Sequence, residues 1–62
     1  MLAQDFEDWL THMGFSGREA GRQLGLSKDT VLKYRKEGCP LYVALACAAL
    51  AFNLPPWRQN ND

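Results

Sequence analysis

Apolar residues fall along the chain in four separate helical patterns. Leu2, Phe6, Trp9, Leu10 and Met13 recur at helical spacing and predict a first helix over residues 3–13 with one apolar stripe. Asp5, Glu7 and Asp8 sit early in it, where the helix dipole favours negative charge, and Gly14 is a natural stop. Ser16 to Glu19 reads as a capping box that opens a second helix over about residues 17–24. Its inward residues are Ala20 and Leu24, and Gly25 ends it. Ser27 is a second N-cap, and a third helix runs from Lys28 to Lys36 or Glu37. Val31 and Tyr34 share one face of it; Lys28, Asp29, Leu32, Lys33 and Lys36 share the other.

The fourth pattern is different. Pro40 suits the first turn of a helix, and LYVALACAALAFN follows from Leu41 to about Asn53. Two apolar stripes can be drawn on it: Leu41, Leu45, Ala48 and Phe52, or Val43, Cys47, Leu50 and Leu54. A helix apolar nearly all round must be covered on more than one side. Three short helices cover one side. A second copy of the same helix is the simplest cover for the other. Pro55-Pro56 stop the pattern, and Trp57 lies beyond it. The sequence contains no strand-like segment, repeat or low-complexity tract. It predicts an all-α fold of four or five helices. Residues 1–57 form a single domain, residues 41–54 a dimerisation helix, and residues 58–62 a flexible tail.

Length sharpens the need for a partner. A chain of 62 residues buries only about 60% of the surface its unfolded form exposes, and such domains usually need a staple. Cys39, Cys47 and His12 match no zinc pattern. A Cys39–Cys47 bridge would span eight helical residues, roughly 12 Å, which is too far. Reduced thiols are expected, with Cys47 in the core, so the staple is expected to be a second subunit. The acidic start MLAQDFEDWL has no basic leader region, and the uncharged helix is too short to span a bilayer. A cytoplasmic location without membrane contact follows as an expectation. His12, the sole histidine, has no nucleophile or carboxylate constellation around it, so no enzyme, cofactor or small-molecule site is expected.

Net charge is zero, but its distribution is not uniform. Six of the seven basic side chains (Arg18, Arg22, Lys28, Lys33, Arg35 and Lys36) fall within residues 17–36, against only Glu19 and Asp29. Clustered charge, rather than total charge, makes an electrostatic footprint for nucleic acid.

The same region carries two interior glycines in AGRQLGLSKDTVLKY. Each would cost a continuous helix about 0.8–1 kcal/mol. As two helices meeting at a tight turn, the stretch makes sense. Gly21 gives the small residue at the crossing, Gly25 the left-handed turn, and Val31 the anchor with Ala20, Leu24, Leu26 and Tyr34. These are the demands of a helix-turn-helix over about residues 17–37. On Ala20, Gly21, Leu24, Gly25, Leu26, Ser27, Thr30, Val31 and Tyr34 the chain resembles the Cro and lambda-repressor-like (XRE-type) DNA-binding family. That family more often has Ala at the place of Gly21 and a smaller aliphatic residue at the place of Tyr34. A looser resemblance, through the ending AALAFNLPPW, is to small autorepressors encoded beside phage anti-CRISPR genes.

The resemblance implies that the start of the third helix enters the major groove, with Lys28, Asp29, Leu32 and Lys33 reading bases. Lysine donates to guanine, aspartate accepts from cytosine, and an exposed leucine meets a thymine methyl. Asp29 equally fits dipole stabilisation in a first turn, and Leu32 the edge of the core. Phosphate contacts are expected from Arg18, Arg22, Arg35 and Lys36, with the hydroxyls of Ser27 and Thr30. A two-fold dimer would set two such helices about 34 Å apart on an inverted repeat. Its interface is expected on Tyr42, Leu45, Ala46, Ala49, Leu50, Phe52, Asn53, Leu54 and Trp57. Size and resemblance together imply a steric repressor of its own operon. The competing reading is a protein-interaction module, an antitoxin or adaptor, that offers the apolar last helix to another protein.

Overall fold

In the computed structural model, which describes residues 1–58, the chain forms α1 (Ala3–Met13), α2 (Gly17–Leu24), α3 (Lys28–Glu37) and α4 (Leu41–Ala51). The fold is all-α, with no strand among the described residues. Beyond Arg58 the expected tail lies outside them. The expected helix limits hold for α1 to α3 because the punctuation is local. Ser16 Oγ accepts the Glu19 N–H at 3.1 Å, and Ser27 Oγ accepts the Thr30 N–H at 3.2 Å. Gly14 and Gly25 close α1 and α2 in the left-handed region.

Three local expectations are corrected. Glu19 does not reach back to complete a capping box at Ser16; its carboxylate takes Arg22 and Gln23 instead. Asp5 does reach back at the other end of the sequence, accepting the Leu2 N–H at 3.3 Å. Pro40 is the N-cap of α4 rather than its first helical residue, its carbonyl accepting the Val43 and Ala44 N–H groups. And α4 ends at Ala51, short of Asn53. Asn53 turns left-handed at φ 58°. The Asn53 N–H then donates to Leu50 O and the Leu54 N–H to Ala49 O, at 3.0 and 2.8 Å. This is a Schellman closure with asparagine in the place glycine usually takes.

The core is built from Phe6, Trp9 and Leu10 of α1, Ala20 of α2, Val31 of α3, and Val43 and Cys47 of α4. Leu2, placed on the α1 stripe by spacing, stands exposed at the N-cap instead. Phe6 stacks on Trp9 with ring centroids 5.6 Å apart, and Phe15 meets Trp9 edge-on at the same distance. Burying each such side chain contributes about 1.5–3 kcal/mol. The Trp9 Nε1–H donates to Cys47 O at 2.9 Å, so α1 grips the backbone of α4 through a buried hydrogen bond. Cys39 and Cys47 are both free and buried, and Cys39 precedes the helix. Burial pushes the Cys47 thiol up to about 11, which keeps it protonated at neutral pH.

A second tie joins the two ends of the α1–α4 span. Met1 and Cys39 exchange hydrogen bonds: the Cys39 N–H donates to Met1 O at 2.9 Å, and the Met1 amino group donates to Cys39 O at 3.0 Å. This clasp sits at the corner between α3 and α4. It fixes where the last helix leaves the third. None of the described helices is long and apolar enough to cross a membrane.

Candidate nucleic-acid interface

The α2–α3 pair owes its geometry to two glycines and one valine. Gly25 adopts φ 72°, and the Leu26 N–H donates back to Gly21 O at 2.8 Å. A Cβ at Gly21 would lie 2.8 Å from Leu26 O and 3.3 Å from Val31 Cγ2. The crossing is therefore closed to any larger residue as it stands. Val31 is buried beneath that crossing and fixes the rotation of α3.

With Val31 facing in, Lys28, Asp29, Leu32 and Lys33 all face out, and Lys36 joins them one turn later. Leu32 is 47% exposed. It borders an open, mostly apolar groove of about 240 Å³ between α2 and α3, which Arg18 and Lys28 also line. The structure thus brings Arg18, Lys28 and Leu32 together on one surface. Leu32 is not among the side chains packed against the core; it lines that groove and is open to solvent.

The six expected phosphate contacts fall into three pairs. Arg18 and Lys36 are exposed and, with Lys28 and Lys33, have no carboxylate at ion-pair distance among the described residues. Arg22 and Arg35 are engaged. Arg22 Nη2 lies 2.8 Å from Glu19 Oε1 on its own helix, and Arg35 Nε lies 2.6 Å from Glu7 Oε2 on α1. The hydroxyls of Ser27 and Thr30 are 2.9 Å apart and hydrogen-bond each other beside the α3 N-cap. Arg22 remains mostly exposed and can exchange its glutamate for a phosphate at little cost, since exposed pairs contribute at most about 1 kcal/mol.

Glu7 is the more instructive acid. The Arg35 guanidinium, by hydrogen bond first and by charge second, holds its carboxyl below the ordinary value of 4.5. A depressed carboxylate stabilises the fold above its unfolded value, and that contribution is lost as pH falls through the folded one. Glu7→Gln is therefore expected to lower the melting temperature slightly at neutral pH. The gap from the unsubstituted protein should close as the pH is taken below 4.5. A gap that persists in acid would assign the loss to packing, not charge.

The expected dimer residues are less uniform than the basic face. Tyr42, Leu45, Phe52, Leu54 and Trp57 are exposed, and so is Asn53. Ala46 and Ala49 are half-buried, and Leu50 packs against the core. Leu41 and Ala48, outside that set, stand in the open beside Leu45 and Phe52. Their i, i+4, i+7, i+11 spacing is the signal that groups them. Of the two possible stripes on α4, Val43, Cys47 and Leu50 turn inward and Leu41, Leu45, Ala48 and Phe52 turn outward. No family model matches the chain, nor does any curated protein or solved structure.

Proposed function

We propose that this protein binds double-stranded DNA in a sequence-specific manner and represses transcription, in the simplest case of its own operon, as a homodimer on an inverted repeat. The observation that supports this reading best is the outward face of α3. Three lysines and an exposed leucine stand on a short helix whose only fully buried side chain is Val31. A helix held by its Val31 and Tyr34 face, with its opposite polar side clear, has the form needed to enter a major groove. Repression would be steric: a bound dimer occupies the promoter. Arg18 and Lys36 hold the phosphate backbone, while Lys28, Asp29, Leu32 and Lys33 face base edges.

The test is a fluorescence-anisotropy titration of a labelled duplex taken from the DNA upstream of the protein's own gene, repeated across salt. Each phosphate neutralised contributes about −0.9 to the slope of log K against log salt. If Arg18 and Lys36 alone engage phosphates in both protomers, the slope is about −4; if Arg22 and Arg35 leave their glutamates, it steepens to about −7. A salt-insensitive complex, or no complex with that duplex, rules the reading out. The exposed apolar face of α4 favours the second reading, an antitoxin or adaptor. Failure with DNA together with binding of a second protein would support it.

A further inference from the structure

Trp57 is 91% exposed, more than any other large apolar side chain described. Tryptophan is normally among the more deeply covered residues, and this one follows two further exposed apolar side chains, Phe52 and Leu54, in the same short segment. It follows Pro55-Pro56 directly. Two consecutive prolines favour an extended, stiff path of about 3.1 Å per residue.

Beside α4 lies a groove of about 230 Å³ lined by Gln23 and by the apolar side chains of Leu24, Ala46, Ala49, Leu50, Leu54 and Pro55. No charged side chain borders it. An apolar cavity of about 150 Å³ suffices for benzene, so this groove has room for an indole. Trp57 does not line its own groove, whereas Pro55 and Pro56 form part of the wall. The stiff segment that makes the wall also carries the indole away from it.

We propose that two copies of the chain exchange these segments, the Trp57 indole of each seated in the Leu24–Leu50–Pro55 groove of the other. The arrangement is reciprocal and so closes on a two-fold axis, as a homodimer requires. No charged residue occurs from Gly38 to Trp57, so no like charges oppose when two copies meet. The chain also exposes apolar area of the order an interface needs. Exposed aromatic side chains such as Trp57, Phe52 and Tyr42 carry about 150–250 Å² each. With Leu41 and Leu45 they approach the roughly 800 Å² per partner of a stable interface. The exchange rests on the dimer of the proposed function and names the contact that makes it.

The experiment compares the full chain with Trp57→Ala and with Ala49→Phe, which fills the groove from its floor. Sedimentation equilibrium gives the dimer constant, circular dichroism the fold, and acrylamide quenching the exposure of Trp57. Subtracting the Trp57→Ala signal removes the contribution of buried Trp9. The unsubstituted protein is expected to dimerise at micromolar concentration and to shield Trp57 only as a dimer. Both variants are expected to keep their helix content and to weaken the dimer by roughly 30-fold or more, the effect of an interface hot spot. Ala49→Phe should also leave Trp57 open to quencher. A dimer with a fully quenchable Trp57, an unchanged constant for Trp57→Ala, or a protein monomeric at hundreds of micromolar overturns the exchange. A dimer that binds its DNA with Trp57 open overturns the exchange alone. A dimer with Trp57 shielded that ignores DNA upholds the exchange and overturns the repressor.

Discussion

Gly21→Ala is expected to lower the melting temperature by about 8–16 °C, a loss of about 2 kcal/mol. Helix propensity alone predicts the opposite sign, since alanine gains about 0.8–1 kcal/mol over glycine inside a helix. The gain is outweighed by what the new methyl group meets. It would stand 2.8 Å from Leu26 O and 3.3 Å from Val31 Cγ2. The carbonyl cannot simply retreat, because the N–H of the same Leu26 donates to Gly21 O at 2.8 Å. Moving the turn outward breaks that bond, and moving Val31 tilts the one buried anchor of α3. Overpacking of this kind costs about 1–3 kcal/mol, and a lost hydrogen bond about 1 more. Gly25 is the control. Its φ is 72°, and a Cβ there would meet nothing within 4 Å. Gly25→Ala therefore carries only the left-handed penalty of about 1–2 kcal/mol, and Gly25→Asn recovers part of it because asparagine tolerates that region. Gly21→Asn should recover nothing. Thermal denaturation followed by circular dichroism separates the two glycines. A Gly21→Ala protein that melts higher would show that the crossing of α2 over the turn is looser than its distances indicate.

What could be read from the sequence was whatever is fixed by neighbours in the chain. Ser16, Ser27, Gly14 and Gly25 act on groups three to five residues away, so α1 to α3 were placed by their caps. The outward face of α3 was legible from spacing alone: Val31 and Tyr34 share the inward face, and that pair sets the rotation of a ten-residue helix. The orientation of α4 was not legible. Both of its stripes are apolar, and the choice between them is made from outside the helix, where Trp9 donates to Cys47 O. The Glu7–Arg35 pair, 28 residues apart, and the Met1–Cys39 clasp, 38 apart, are likewise tertiary. They matter to the site, because one engages a cation expected on phosphate and the other sets the corner between α3 and the apolar α4. Asn53 misled by type. Its left-handed turn closes α4 early, and asparagine announces that less clearly than glycine does.

Replacing Lys28 and Lys33 together by alanine should reduce operator binding to the level of unrelated DNA while leaving the domain as stable as before. Each lysine that donates to a guanine edge is worth about 1–3 kcal/mol of discrimination. Two in each protomer of a symmetric dimer come to about 4–12 kcal/mol, against the roughly 4–10 kcal/mol that separates specific from non-specific binding. Stability should not fall, since both side chains are exposed, have no ion-pair partner among the described residues, and give way to a better helix former. Arg18→Ala should behave differently. It lines the same groove as Lys28 and Leu32 but belongs to α2, so its loss should weaken all sequences alike and flatten the salt slope by about 1 per site. Asp29→Asn resolves the remaining ambiguity of the face. If Asp29 accepts from a cytosine, discrimination relaxes at one base pair of each half-site. If it only steadies the first turn of α3, removing its charge beside the phosphates strengthens binding to every sequence equally. Should the Lys28→Ala, Lys33→Ala protein hold its operator as tightly as the original, the bases are read by another surface, and the outward face of α3 only keeps the domain in solution.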